Sequence, residues 1–233
     1  MKIVIDAGHG YTTPGKSTPD GMKEYEFNRT VAQFLKDMLT PYQTKILFAH
    51  SDSLDVPLQE RTKQANTSCA DLYVAIHANA AGNGGWNDAN GIETYIHSSK
   101  PANAHSLASK IQRKLIAATG LRDRGIKTAD FHVLRETKMT AVLIECGFMT
   151  NESESKLLKS EYYRKCCAQA IAEAIISHYS LKRKAAIPVR DSQEERTLYK
   201  VQLGAFWDKQ NATSLATQLK ILGFDTTIVV AKE

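Results

Sequence analysis

Cysteine is scarce in this chain: Cys69, Cys146, Cys166 and Cys167 are the only four among 233 residues, and no C-x-x-C pair occurs. A disulfide framework and a cysteine-type zinc site are thereby excluded, so any metal would be held by histidine and carboxylate. Long hydrophobic runs are missing too, with nothing near the ~18 residues a membrane helix needs. Met1-Lys2-Ile3-Val4-Ile5-Asp6 is too short and too soon interrupted for a secretory signal. The sequence therefore predicts a chain made in the cytoplasm and not inserted in a membrane. Strong charge of one sign is also lacking: 30 Lys and Arg against 25 Asp and Glu leave +5. That excess does not point to a nucleic acid, but it suits an anionic cell surface.

What is present is ordinary globular material, 42% hydrophobic and 24% charged, long enough for one domain or two. Strands are expected at Lys2–Asp6, Lys45–Ala49, Leu72–His77, Ile92–Ile96, Phe131–Leu134 and Ala141–Ile144. Apolar residues at helical spacing predict helices at Glu24–Leu39, Leu58–Thr67, Ala104–Ala118 and Tyr163–Tyr179. This alternation predicts an α/β domain over 1–180, a twisted, mostly parallel sheet flanked by helices, with its chemistry at strand ends. Residues 181–197 are rich in charge without a periodic apolar face and read as a linker. Beyond it, 198–233 reads as a small βαβ module: strand Leu198–Ala205, helix Asn211–Leu222, strand Asp225–Val230. Such a short piece needs a partner surface.

Three residues stand where backbone order meets solvent: His9 after the first strand, His77 ending a central strand, and Glu145 ending a late one. Histidine is the commonest zinc ligand, and a catalytic zinc takes three protein ligands plus an open position. Two histidines need a third donor, and Glu24 or Glu26 at the start of the first long helix could supply it. Glu145 follows Ala141-Val142-Leu143-Ile144 directly, near buried surface where an unpaired carboxylate is costly, and a nearby cation would account for it. His50, His97, His105 and His178 read as structural, and His132 as intermediate. Asn79, two residues beyond His77 and on the same side of its strand, is a candidate substrate contact.

Six segments in order then resemble a known family: Ile5-Asp6-Ala7-Gly8-His9-Gly10; Gly21-Met22-Lys23-Glu24 with Asn28; Leu58 and Arg61 ahead of Ala65-Asn66; Ala70-Asp71-Leu72-Tyr73-Val74-Ala75-Ile76-His77-Ala78-Asn79-Ala80; Arg124-Gly125-Ile126-Lys127 with Val133-Leu134-Arg135-Glu136-Thr137; and Ala141-Val142-Leu143-Ile144-Glu145-Cys146-Gly147-Phe148. Over residues 2 to about 178 the chain is similar to the zinc-dependent N-acetylmuramoyl-L-alanine amidases of the amidase-3 type. The resemblance implies Zn2+ held by His9, Glu24 and His77, with Glu145 as the catalytic carboxylate. The implied reaction is hydrolysis of the amide between the lactyl group of N-acetylmuramic acid and L-alanine of the peptidoglycan stem peptide. A zinc peptidase acting within the stem peptide and a non-catalytic wall-binding protein are the competing readings. Where the family often has a hydrophobic residue after the catalytic Glu, this chain has Cys146, which packs as a small hydrophobe.

The tail resembles the first half of a SPOR repeat, a peptidoglycan-binding module, through Tyr199-Lys200-Val201-Gln202-Leu203-Gly204-Ala205-Phe206 followed by Asn211-Ala212, Leu215, Leu219 and Gly223. Two such tails could pair between chains and cover their strand edges, giving a homodimer. The expected partner is bacterial peptidoglycan, reached after release from the cytoplasm, as by a phage endolysin or a sporulation autolysin.

Overall fold

Period-two alternation decides which side of each strand is buried against what. In the computed structural model, which describes residues 1–13, 15–185, 202–221, 224 and 226–230, strands β1 (Lys2–Ala7), β2 (Lys45–Phe48), β3 (Leu72–Asn79), β4 (Ile92–His97), β5 (Asp123–Ala129) and β6 (Thr140–Phe148) form one sheet in the order β2-β1-β3-β6-β4-β5. Every pairing is parallel except that of β4 with β6. The expected α/β class holds, with β4 and β5 reversed relative to the other strands.

Ile3, Ile5 and Ala7 of β1, Leu72, Val74 and Ile76 of β3, and Val142, Ile144 and Cys146 of β6 face one side. There they pack under α1 (Glu24–Leu39), α3 (Ala102–Thr119) and α6 (Glu161–Tyr179). The alternate residues Val4, Tyr73, Ala75, Ala141 and Leu143 form a smaller core on the other side, with Ala65 of α2 (Leu58–Thr67) and Val133 and Leu134 of α4 (His132–Arg135). By the same alternation His77 and Glu145 belong to this second, thinly covered face.

Several expected elements differ. Phe131–Leu134 is not a strand: its residues 132–135 make one helical turn that places Val133 and Leu134 in the smaller core, while β5 already occupies the sheet edge. That edge strand and the helix α5 (Glu152–Lys159) are additions to the expected set. The chain divides into two compact units, Met1–Ala185 and Ala186–Glu233. Residues 181–184 of the expected linker belong to the first, where Gln43 N–H donates to Lys182 O and Lys184 N–H to Pro41 O. Residues 186–197 lie outside the described residues. In the second unit α7 (Lys209–Ile221) stands where a helix is expected. The flanking strands do not form over the described residues 202–205 and 226–230, and 198–201 and 225 lie outside them. A strand needs a ladder partner, and these segments have none among the described residues. No described helix is long and apolar enough to cross a membrane.

Candidate metal centre and catalytic carboxylate

The chain leaves β1 through Gly8-His9-Gly10, and His9 sits at φ 71°, the left-handed region a non-glycine residue seldom adopts. Arg61 of α2 holds it there. Its guanidinium donates to Ala7 O at 2.8 Å, to His9 O and to Val56 O, and pairs with the buried Asp6 carboxylate at 2.6 Å. Tyr73 OH donates to the other Asp6 oxygen at 2.6 Å. Gly8 is required by close approach, because a Cβ there would collide with the His77 ring. His9 and His77 thus meet edge to face, ring centroids 5.2 Å apart.

Glu24 opens α1, where the helix N-terminus favours a carboxylate. Its Oε1 lies 2.8 Å from His77 Nδ1 and its Oε2 3.1 Å from His9 Nε2. Lys16 N–H, Ala78 N–H and the Asn28 amide also donate to it, which fixes the carboxylate although it is buried. Glu26, the alternative donor, is exposed and turned away, accepting from Lys23 N–H at 2.8 Å in a capping box. Burial alone would raise the Glu24 pKa, but its two histidine partners drive it well below the usual range. Burial would lower His77, yet the Glu24 hydrogen bond and charge carry it up to about 9.

One ligand atom from each of His9, Glu24 and His77 lies within 4.8 Å of the others. Two imidazole nitrogens and a carboxylate oxygen that close, beside an open face of the sheet, fit the donor set of a catalytic zinc. Glu145 pairs directly with His77 in the β3–β6 ladder, so the two side chains rise side by side from one face. Its Oε2 is shut from solvent and has no hydrogen-bond partner among the described residues. Burial, reinforced by the charges of Glu24 and Glu93 and opposed by His77, pushes the Glu145 carboxyl up to about 8. A cation at the adjacent ligand triad would draw that value back down and give the orphaned oxygen a reason to be there.

Asn79 donates its amide to Glu93 at 2.7 Å. His132 opens α4, with its Nε2 3.3 Å from Thr62 Oγ1. His50 Nδ1 accepts from Ala7 N–H, and His97 and His178 bond to Ser99 and Asn103. From the sequence, Asp6, Arg61 and Arg124 carry the resemblance but no role, and Glu93 is not singled out. The signal available was a charged residue within or beside a strand pattern, where burial demands a partner.

Against known proteins, the N-acetylmuramoyl-L-alanine amidase family matches residues 3–177 and the SPOR domain residues 169–233. The chain is 36% identical over 231 residues to N-acetylmuramoyl-L-alanine amidase CwlM of Bacillus licheniformis, covering 98% of this chain and 85% of that protein. It is 35% identical over 232 residues to the sporulation-specific N-acetylmuramoyl-L-alanine amidase of Bacillus subtilis, covering 99% and 85%. Among solved structures it is similar to the N-acetylmuramoyl-L-alanine amidase from Clostridium difficile 630, with TM-score 0.73 and 34% identity over 77% of this chain and 96% of that one.

Proposed function

Since this chain belongs to the N-acetylmuramoyl-L-alanine amidase family, we propose that it cuts peptidoglycan with a zinc ion held by His9, Glu24 and His77 and with Glu145 as its catalytic carboxylate. The protein is a peptidoglycan hydrolase, acting on the amide between N-acetylmuramic acid and the L-alanine of the stem peptide. Family membership supports this over cleavage within the peptide and over a purely wall-binding role. The observation that carries the residue roles is the convergence of three ligand atoms within 4.8 Å beside the unpartnered Glu145 oxygen.

When bound, zinc supplies Lewis acidity that polarises the scissile carbonyl and acidifies water. Glu145 accepts a proton from the attacking water at its carboxylate. It then gives that proton to the departing amine, so that one water is consumed and a lactyl carboxylate and a free α-amine result. The hydrogen bonds to Glu24 hold the ligand triad in place through the cycle.

Purified chain incubated with cell walls should release new amino-terminal L-alanine together with free lactyl carboxylate, and a chelator should stop it until zinc is restored. Glu145→Gln should retain zinc and lower kcat by about 10²–10⁴-fold, the range of general acid–base catalysis. Cleavage inside the peptide, or lysis undiminished after chelation, overturns the reading.

The division into catalytic domain 1–180, linker 181–197 and wall-binding module 198–233 is part of the same proposal, with 181–184 seated on the first unit, as is a homodimer through the tail. Leu203, Trp207, Phe224, Val229 and Val230 are exposed there, and pairing with the same segments of a second copy would cover them and give these segments a ladder, which they lack among the described residues. A monomeric mass in solution with slowly exchanging tail amides would refute the dimer.

A further inference from the structure

Glu93 is charged, 2% exposed, and outside the ligand triad. It pairs directly with Glu145 across the β4–β6 ladder, just as His77 does across β3–β6. His77, Glu145 and Glu93 therefore form a row across three neighbouring strands on one face, each about 5 Å from the next in the backbone. Four groups converge on the Glu93 carboxylate. Asn79 and Tyr95 donate to Oε1 at 2.7 and 2.8 Å, while Arg124 Nε and Lys127 Nζ meet Oε2 at 2.6 Å each.

That both cations reach one oxygen follows from a bulge in β5. Arg124 and Lys127 are three apart, and in a regular strand they would point to opposite faces. The register slips between the pairs Ile92–Asp123 and Thr94–Ile126, where β5 spends one residue more than β4. Gly125 sits in that interval at φ 77°, a left-handed conformation that glycine adopts without strain.

At the Glu93 carboxylate two cations face one anion. Among the described residues neither Arg124 nor Lys127 has another carboxylate partner. Arg124 is otherwise engaged: Nη1 approaches Asn90 O at 3.4 Å, and the guanidinium lies over the Phe148 ring at 4.8 Å. Lys127 has Glu93 as its one described partner for three N–H donors, and its side chain is 36% exposed.

We infer that Lys127, seated by Glu93, reads a carboxylate on the substrate, namely a free α-carboxylate of the stem peptide close to the scissile amide. The inference rests on the amidase reading above. Glu145 separates the ligand triad from Glu93 in the row, so the cation lies to the side of the reacting carbonyl, where an attached peptide would pass. Glu93 and Arg124 act as positioning residues that hold the ammonium in place, and Lys127 makes the contact.

The test uses two N-acetylmuramoyl peptides, identical except that the residue after L-alanine bears a free α-carboxylate in one and a carboxamide in the other. The full chain should favour the acid in kcat/KM, chiefly through KM. Lys127→Met should lower that acid-to-amide preference about tenfold, the scale of one charge-assisted contact at a half-exposed site. Lys127→Arg should keep most of it, which guards against a merely structural effect. The same preference in wild type and Lys127→Met overturns the inference. So does an equal loss of kcat on both substrates, which would place the ammonium at the reacting group. Failure of the wild-type chain to cut either substrate overturns the amidase reading itself and the inference with it.

Discussion

Arg61 spends one guanidinium on two tasks, neutralising a buried carboxylate and holding the backbone of His9 in a conformation it would not choose. Arg61→Met removes the partner and leaves Asp6 charged and 1% exposed. Breaking a buried pair by deleting one member costs about 3–5 kcal/mol, so the thermal midpoint should fall by many degrees and zinc affinity should fall with it. A variant with wild-type melting temperature and zinc affinity would show that Arg61 is dispensable. Glu93 gives a pH signature of its own. Burial raises its pKa, but Lys127, Arg124 and Tyr95 together bring it below the ordinary glutamate value. A carboxylate lowered on folding contributes stability that is complete above its unfolded pKa, near 4.3, and is lost as pH falls through the folded value. The Glu93→Gln chain should therefore show a smaller drop in melting temperature between pH 5 and pH 3 than the wild type, as read by circular dichroism. At this scale the proposed ligands His9 and His77 stood out in the sequence as histidines at or just beyond strand ends, while the choice of Glu24 over Glu26 came from the family resemblance and not from the pattern. Glu93 did not stand out, because inside an Ile-Glu-Thr-Tyr-Ile alternation it reads as a solvent-facing position, and only the fold brings Arg124 and Lys127 onto it.

Among the elements, the long amphipathic helices and buried strands were read within a few residues, and α1 and α2 coincide with their expected limits. The misses share a physical cause. β5 carries Asp123, Arg124 and Lys127 with Ile126 as its one large apolar residue, the charged dress of an edge strand, so apolar alternation cannot reveal it. Phe131–Leu134 has strand-like residues, but four of them satisfy a one-turn helix as well, and packing decided. Helix α5 is short and mostly polar, announced only by its cap, where the Asn151 side chain accepts from Glu154 N–H at 3.0 Å. That cap supports more than the helix. Glu154, so placed, accepts Gly91 N–H at 2.7 Å and Phe148 N–H at 2.6 Å, tying the start of β4 to the end of β6. Asn151→Ala should cost about 1 kcal/mol, the usual worth of an N-cap. Hydrogen exchange at the Gly91 and Phe148 amides should quicken along with the helix; quickening confined to α5 would mean that the strand ends are held without it.

For the whole molecule, composition foretold the class of the chain but not the direction of its strands. Nothing in the pattern of β4 and β5 distinguishes running with the sheet from running against it: the chain reverses in the helix-free stretch between β3 and β4, and α3 then returns it to lay β5 parallel to β4. The net +5 belongs to this scale too. Adsorption to anionic cell walls should weaken steeply as salt rises from ~0.01 to ~0.15 M and the screening length shrinks from ~30 to ~8 Å. A pull-down unaffected by salt would assign wall binding to uncharged contacts. The reversed strands carry a further meaning. The proposed zinc ligands all lie within residues 9–77 and Glu145 lies on β6, whereas Glu93, Arg124 and Lys127 belong to the stretch from β4 to β5. On the proposed reading, cutting and reading fall on separate lengths of chain that meet at the Glu93–Glu145 pair of the β4–β6 ladder and through the Asn79 amide on Glu93. Segment 92–129 also supplies Ile92, Leu107 and Ile111 to the main core, so on the proposed reading the charges at 124 and 127, and not the whole stretch, are what a change of substrate preference would alter.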